Sequence, residues 1–448
     1  MDLRLALGLT GAETIAFTGA GGKTSAMATL ARELLPPVVM TTTTHLGKWQ
    51  GGIAQQHIII TSPGALKKSD FLGSETILVT GPPGKDERWG SLNPESLEKL
   101  SLICRENEIP LLIEADGARQ RPLKAPAGYE PAIPPWVDRV VVMAGLGGLK
   151  RRLNADTVHR PELFSQITGL RMGEEIKVEH VERVLRSTSG GLKGIPDGAR
   201  RVLFLNQAED LVCKAQGNRL ANALEDVYQR VLIGLLAQPN ADGPVFSAHS
   251  QTAGIILAAG GSERLGVPKQ LLDWFGKPFI VQVAQTALTA GLFPVVVVTG
   301  AHQAEIETAL ADLPVRCVHN PDWASGQASS LKAGLKSLPD HCDCAMFLLS
   351  DQPQITSHLV RQLIERHHAV RAPITAPMIR ERRGNPVLFA SQTFGALREV
   401  SGDQGGRAIF NAFKVDYLPW IDVRALLDVD QESDLNNLIE QYFGEEAN

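Results

Sequence analysis

Short apolar runs rich in Val, Ile and Leu recur along the chain, separated by longer stretches whose apolar positions are spaced as on one face of a helix. In order they read TIAF, PVVM, HIII, ILV, PLLI, RVVVM and VLFL, then GIIL, PVVVV and AMFLL. These runs show no apolar/polar alternation, so they predict strands buried on both faces, and strands that alternate with helices predict parallel sheets flanked by helices. The rhythm breaks at AQPNADGPVFSAHSQT, residues 237–252, which is rich in turn formers and has no sustained period. A boundary there divides the chain into predicted domains 1–240 and 252–448, each of a size that one hydrophobic core serves.

Composition narrows the function classes. With 448 residues, 44% of them hydrophobic and 21% charged, the chain reads as an ordinary globular protein. Its 44 basic and 49 acidic residues give a net charge of −5, which argues against a nucleic-acid binder that relies on a broad basic surface. No apolar run approaches the ~20 residues of a membrane span, and the start MDLRLALGLT lacks the marks of a signal peptide. A cytoplasmic location without a membrane partner is the expectation. The five cysteines are odd in number and scattered, so they predict no disulfide framework. Cys342 and Cys344 are close, but without a second Cys or His pair they read as small side chains at a strand entrance.

The stretch LAAGGSERLGVPKQLL, Leu257 to Leu272, carries the strongest chemical signal. A strand ends at Leu257, and Gly260 and Gly261 let backbone N–H groups approach a ligand that a Cβ would hold away. Arg264 and Lys269 add cations on the same loop, an arrangement suited to a nucleoside triphosphate. LLSDQP puts Asp351 at the carboxyl end of an apolar strand, where open α/β sheets bind ligands. WASGQASSL sets Gly326, Gln327, Ser329 and Ser330 ahead of a helix, where free N–H groups and hydroxyls can meet a nucleotide. DVDQESDL offers Asp428, Asp430 and Asp434, the last read as a helix cap.

These segments, with NPDWASGQASSLKAGL, RRGNPVLF and SGDQGGR, resemble in kind and order the nucleotidyltransferases that activate small molecules, specifically the molybdenum cofactor cytidylyltransferases, from about Gly254 to Leu438. The resemblance implies a Rossmann-like domain with a mostly parallel sheet, and transfer of CMP from CTP to the phosphate of a molybdopterin-type cofactor with release of pyrophosphate. It implies nucleotide contacts from Leu257, Ala258, Ala259, Gly260, Gly261, Gly326, Gln327 and Ser329, and catalytic roles for Arg264, Lys269, Asp351 and Asp430. Asp351 and Asp430 would share Mg2+. Arg383, Asn385, Gly405, Gly406 and Arg407 would serve the second substrate. The LAAG and SDQP forms look like the cytidylyl branch, GTP being the alternative.

Near the N-terminus, TGAGGKTS follows the strand TIAF and precedes a helical pattern, the setting of a phosphate-binding loop. Gly19, Gly21, Gly22, Lys23 and Thr24 are the candidate contacts, although Phe17 stands where the usual spacing of such loops has glycine. Glu114 and Asp116 in PLLIEADGARQRPLKAP come at a strand end as a metal-side carboxylate would, and Asn206 with Glu209 or Asp210 offers a base-reading pair. Together with TTTTHLG, YEPAIP and HRPE at His159 to Glu162, these segments resemble the accessory family of selenium-dependent molybdenum hydroxylases over about residues 11–235. That resemblance implies a P-loop-like NTP-binding accessory domain, with a molybdenum hydroxylase apoenzyme as a candidate partner. Hydrolysis, phosphoryl transfer and binding without turnover stay open there, and His159 is left outside the catalytic set.

Overall fold

The computed structural model describes all residues except Thr10, 85–87, 238–242, 262–266, 340–341, 430–432, 435–436, 438 and 441–448, and the side chains of residues 48–50. Two compact units are present, Met1–His249 and Ser250–Asn448. Among the described residues no helix is long and apolar enough to cross a membrane.

In the first unit the strands are β1 (Thr14–Gly19), β2 (Val38–Thr42), β3 (Gln56–Ile59), β4 (Thr76–Pro83), β5 (Leu111–Glu114), β6 (Arg139–Gly145), β7 (Arg200–Asn206), β8 (Arg230–Gly234) and β9 (Val245–His249). They form one sheet in the order β9-β8-β7-β6-β1-β5-β2-β4-β3, parallel apart from β9. The reason lies in the runs themselves: along β1, Ile15 and Phe17 enter one core and Ala16 the core on the other face, all nearly inaccessible to water. Helices α1 (Lys23–Glu33), α2 (Pro94–Glu106), α3 (Pro161–Thr168), α4 (Val178–Arg186) and α5 (Leu211–Leu224) supply much of the covering surface.

The second unit repeats the design with β10 (Thr252–Ala258), β11 (Val295–Thr299), β12 (Arg316–His319), β13 (Cys344–Leu349), β14 (Ile374–Ile379), β15 (Val387–Ala390) and β16 (Val415–Pro419). Its order is β12-β11-β10-β13-β15-β14, with β16 on β14. The β10, β11, β12 and β13 pairings are parallel, and β15 runs antiparallel to β13 and β14. Ile255 and Ile256 enter opposite cores. The longer helices are α6 (Phe279–Thr289), α7 (Gln303–Ala309), α8 (Gln327–Lys336) and α9 (Ser357–Val370). The chain leaves β10 toward β11 and β12, then returns to place β13 on its other side, so the sheet has a switch point between β10 and β13.

Several strands escaped the hydrophobic pattern, among them two at the end of the first unit. RVLIG forms β8, and VFSAH, inside the stretch read as a boundary, forms the antiparallel edge strand β9. Five residues bounded by turn formers offer too short a window for periodicity to register. The cysteines are all free; Cys342 donates to the Cys344 carbonyl, and burial pushes its thiol up to about 12.

Ser250 is built into the second unit: its Oγ accepts from Arg371 Nη1 at 3.0 Å, and its carbonyl lies 3.1 Å from His368 Nε2. Residues 250–448 are therefore expected to fold alone with one cooperative transition. A fragment starting at Thr252 lacks these bonds, and since a buried hydrogen bond to a charged group contributes ~1.5–3 kcal/mol, its melting temperature should be lower by roughly 3 °C or more. Scanning calorimetry on both fragments checks this; equal melting temperatures would show that Ser250 is dispensable.

Candidate functional site

Polar residues gather at the carboxyl ends of the central strands in each unit. In the first unit the chain turns from β1 into α1 through Gly19–Gly22, with Gly22 as the N-cap of α1 at φ +126°. Only glycine serves there, because that conformation disfavours a side chain and a Cβ would lie 2.6 Å from Asn206 Nδ2. Asn206, at the end of β7, donates to the Gly21 carbonyl at 2.6 Å and accepts from Leu236 N at 3.0 Å. It is a buried clamp on the loop. Asp210 is a helix cap: its carboxylate accepts from Cys213 N at the start of α5.

Lys23 and Thr24 each face a carboxylate from the end of β5. The Lys23 ammonium donates to the Gly19 carbonyl at 2.6 Å and lies 3.2 Å from Asp116 Oδ1. Thr24 Oγ1 donates to Glu114 Oε2 at 2.8 Å. The two carboxylates that the sequence left equivalent thus take different partners: Glu114 the Thr24 hydroxyl, and Asp116 the Lys23 ammonium. Burial is the main cause that raises the Glu114 carboxyl above its usual range, against the pull of Lys23 and Thr24. Threonines of TTTTHLG serve backbone carbonyls: Thr41 donates to Val79 O and Thr42 to Glu114 O.

A chain of buried charges extends outward from Asp116. Asp116 Oδ2 accepts from Gly19 N at 3.1 Å and Lys124 Nζ at 2.8 Å; Lys124 also lies 2.7 Å from Glu130 Oε2, and Arg160 makes a two-pronged contact with Glu130. Lys124 and His159 stand on short paired strands, Leu123–Lys124 and Val158–His159. Such charges remain buried only because each has a partner. Burial opposes ionisation of Glu130, but Arg160 and Lys124 outweigh it and hold the carboxyl down at about 2. Burial and the same two cations lower the His159 imidazole to about 4, so it is neutral at pH 7. Lys124, Glu130 and Arg160 lie in three of the segments that carry the family resemblance, but none was named as a site residue, because what makes them a unit is contact between those segments.

In the second unit one cleft opens at the switch point. It is lined by Leu257 near the end of β10, Ala259 and Gly260 just after it, Ser350 and Asp351 after β13, Lys269 and Gln270, and by Trp323, Gly326, Gln327 and Ser330 before and within α8. The structure thus brings together Leu257, Ala259, Gly260, Lys269, Gly326, Gln327 and Asp351. Ala258 is buried beneath, its carbonyl accepting from Gln270 Nε2 at 3.1 Å; the same amide donates to Gly260 O at 2.9 Å. Gly261 packs against the Trp323 ring. Ser329 does not line the cleft: its hydroxyl donates to Gly326 O and accepts from Asn320 Nδ2. Arg264 and Asp430 lie outside the described residues. Flanking Asp430, Asp428 accepts from Gln352 Nε2 at 2.7 Å, and Val429 is buried with Trp274 and Phe279.

The residues expected to serve a second substrate are not part of this cleft's lining. Arg383 stacks its guanidinium 3.8 Å above the Phe410 ring, Arg407 is exposed and bonds back to Gln404 O, and Gly406 packs on Phe389. Asn385 is half-buried beside Pro386. Gly405 packs against the Gln327 side chain, so its segment abuts the nucleotide side of the cleft. The same segment adds a lining residue that sequence reasoning missed, Asp403, whose Oδ1 accepts from Gln327 N at 3.3 Å. Its position in SGDQGGR was the available signal.

Comparison with known proteins divides the chain in the same way. Residues 254–416 match the MobA-like NTP transferase domain, and residues 15–162 match the YqeC protein family. The uncharacterized protein YqeC of Escherichia coli (strain K12) is 30% identical over 213 residues, 45% of this chain and 80% of that one. "Nicotine blue oxidoreductase" of Paenarthrobacter nicotinovorans is 33% identical over 197 residues, 42% of this chain and 95% of that one. A "Probable molybdenum cofactor guanylyltransferase" of Bacillus cytotoxicus is 30% identical over 143 residues, 31% of this chain and 67% of that one. The chain therefore belongs to the YqeC family through its N-terminal part and to the MobA-like NTP transferase family through its C-terminal part.

Proposed function

We propose that the C-terminal unit transfers CMP from CTP to the terminal phosphate of a molybdopterin-type cofactor, and that the N-terminal unit binds a second nucleoside triphosphate in an accessory step of molybdenum hydroxylase maturation. The observation that carries the first half is the convergence of the glycine loop, Lys269, the start of α8 and Asp351 on one cleft at the switch point of a parallel sheet. In this reading a phosphate oxygen of the pterin attacks the α-phosphorus in line, the bond to the β-phosphate oxygen breaks, and pyrophosphate leaves. No covalent enzyme intermediate is needed, so the side chains act by positioning and by charge: Lys269 and Arg264 neutralise the triphosphate, and Gly260 admits it close to the backbone.

Asp351 lines the cleft and offers the oxygen donors that a hard cation prefers. With Asp430 it would hold Mg2+, which supplies charge neutralisation to the triphosphate and to the departing pyrophosphate. The name of the Bacillus relative favours GTP as the alternative donor, and LAAG with SDQP supports CTP. The YqeC-family unit is read as a triphosphate binder because Lys23 and Thr24 stand at the start of α1, each beside its own carboxylate. Covalent linkage of the two units would raise the effective concentration of each activity near the other.

Asp351→Asn keeps the side chain's size and removes a charged metal ligand. Metal affinity and transfer rate should fall together, by about a hundredfold or more, as expected where transition-state charge loses a partner, with little change in melting temperature. Asp430→Asn should behave alike, and Asp434→Asn should cost far less. Steady-state pyrophosphate release at low magnesium is the measurement, and full activity in Asp351→Asn would remove the metal assignment.

Lys23→Met retains the buried stem and deletes the charge. It should abolish triphosphate binding by the N-terminal unit and leave nucleotidyl transfer nearly untouched, because the contact to the phosphates is lost at one site only. Calorimetric titration of the full chain would then lose one of two binding events. Retention of both would mean that the loop is a plain glycine turn.

A further inference from the structure

Asp403 is out of place in a cleft read as the site of a triphosphate. It is exposed there, and its carboxylate would repel a triphosphate brought close to it. One oxygen is accounted for by the fold, since Oδ1 accepts from Gln327 N at the start of α8, and a Cβ on Gly326, itself at φ +111°, would lie 2.6 Å from that oxygen. Asn or Ser would cap the helix as well without adding charge. The second oxygen, Oδ2, makes no hydrogen bond among the described residues. The exposed carboxylate thus has an oxygen able to accept from a ligand's donor, and the part of a nucleoside triphosphate that carries N–H and O–H groups without charge is the nucleoside.

Resting on the nucleotidyl-transfer reading above, we propose that Asp403 recognises the nucleoside of the donor nucleotide, with Oδ2 accepting a hydrogen bond from a base amino group or from a ribose hydroxyl. The phosphates then extend toward Gly260 and Lys269, away from the carboxylate. Gly405 backs this arrangement by packing on the Gln327 side chain, so Asp403 and Gln327 are presented as one wall. The segment expected to serve the second substrate thereby also selects the first.

The test is Asp403→Asn in the full-length chain, since Asn keeps an acceptor for Gln327 N and removes the charge. Binding of CTP, GTP, UTP, 2′-deoxy-CTP and inorganic tripolyphosphate is measured by calorimetry with magnesium; binding at the N-terminal unit is common to both chains, so differences report the cleft. The substitution should weaken the preferred nucleotide by about tenfold, the usual scale for a lost charge-assisted hydrogen bond, and leave tripolyphosphate unchanged or tighter. If the donor is a base amino group, UTP should be insensitive to the change; if it is a ribose hydroxyl, 2′-deoxy-CTP should be. An unchanged CTP affinity, or CTP and tripolyphosphate weakening in parallel, would overturn the assignment while leaving nucleotidyl transfer intact. Failure of the wild-type cleft to bind any triphosphate would overturn both.

Discussion

A parallel strand buried on both faces has its backbone and side chains committed to its neighbours, so it can meet a ligand only where it ends. That constraint organises this protein. Ile15–Phe17 and Ile255–Ile256 are committed to packing, and the residues that follow the strands, Gly19–Thr24 and Ala259–Gly261, are small or polar. The ends of the adjacent strands supply the carboxylates, Glu114 and Asp116 in one unit and Asp351 in the other. Chemistry collects at one edge of each sheet because nothing else there competes for it.

The two sites use charge differently. In the N-terminal unit Lys23, Asp116, Lys124 and Glu130 are buried, Arg160 is half-buried, and all five are paired along one chain of contacts. Removing any one would strand another in a low-dielectric interior, so the network holds the loop's surroundings rigidly. In the C-terminal cleft Lys269 is half-buried and Asp403 exposed, and the rigid parts are neutral: Gln270 pins the loop through two carbonyls, and Gln352 and Gln354 hold the segment that leads to Val429. A cleft built on neutral supports can admit and release a highly charged ligand without breaking buried ion pairs.

Much of this was legible in the sequence where the signal is local. Strands of four or more branched apolar residues, glycines at strand ends and a lysine before a helix all follow from rules that span a few positions. What escaped depends on contacts that only the fold creates. Asn206 looked like a base reader and is a loop clamp, because β7 brings it to the Gly21 carbonyl. Lys124, Glu130 and Arg160 sit in three separate quoted segments whose contact only the fold creates, and Asp403 becomes notable only when its segment lies against α8. Strand β9 was hidden by its turn-rich flanks. Glu114 and Asp116 could be named but not told apart until Thr24 and Lys23 chose between them.

The C-terminal cleft is proposed to transfer a nucleotidyl group onto a molybdopterin-type phosphate. That transfer is tested most directly by pyrophosphate release from the full-length chain, with CTP, GTP, ATP and UTP each offered alongside metal-loaded molybdopterin, and with sugar phosphates as alternative acceptors. Release is expected with CTP and molybdopterin, matched mole for mole by the cytosine dinucleotide form of the cofactor, and none with sugar phosphates. Absence of pyrophosphate with every nucleotide and molybdopterin, or release with a sugar phosphate alone, would contradict it.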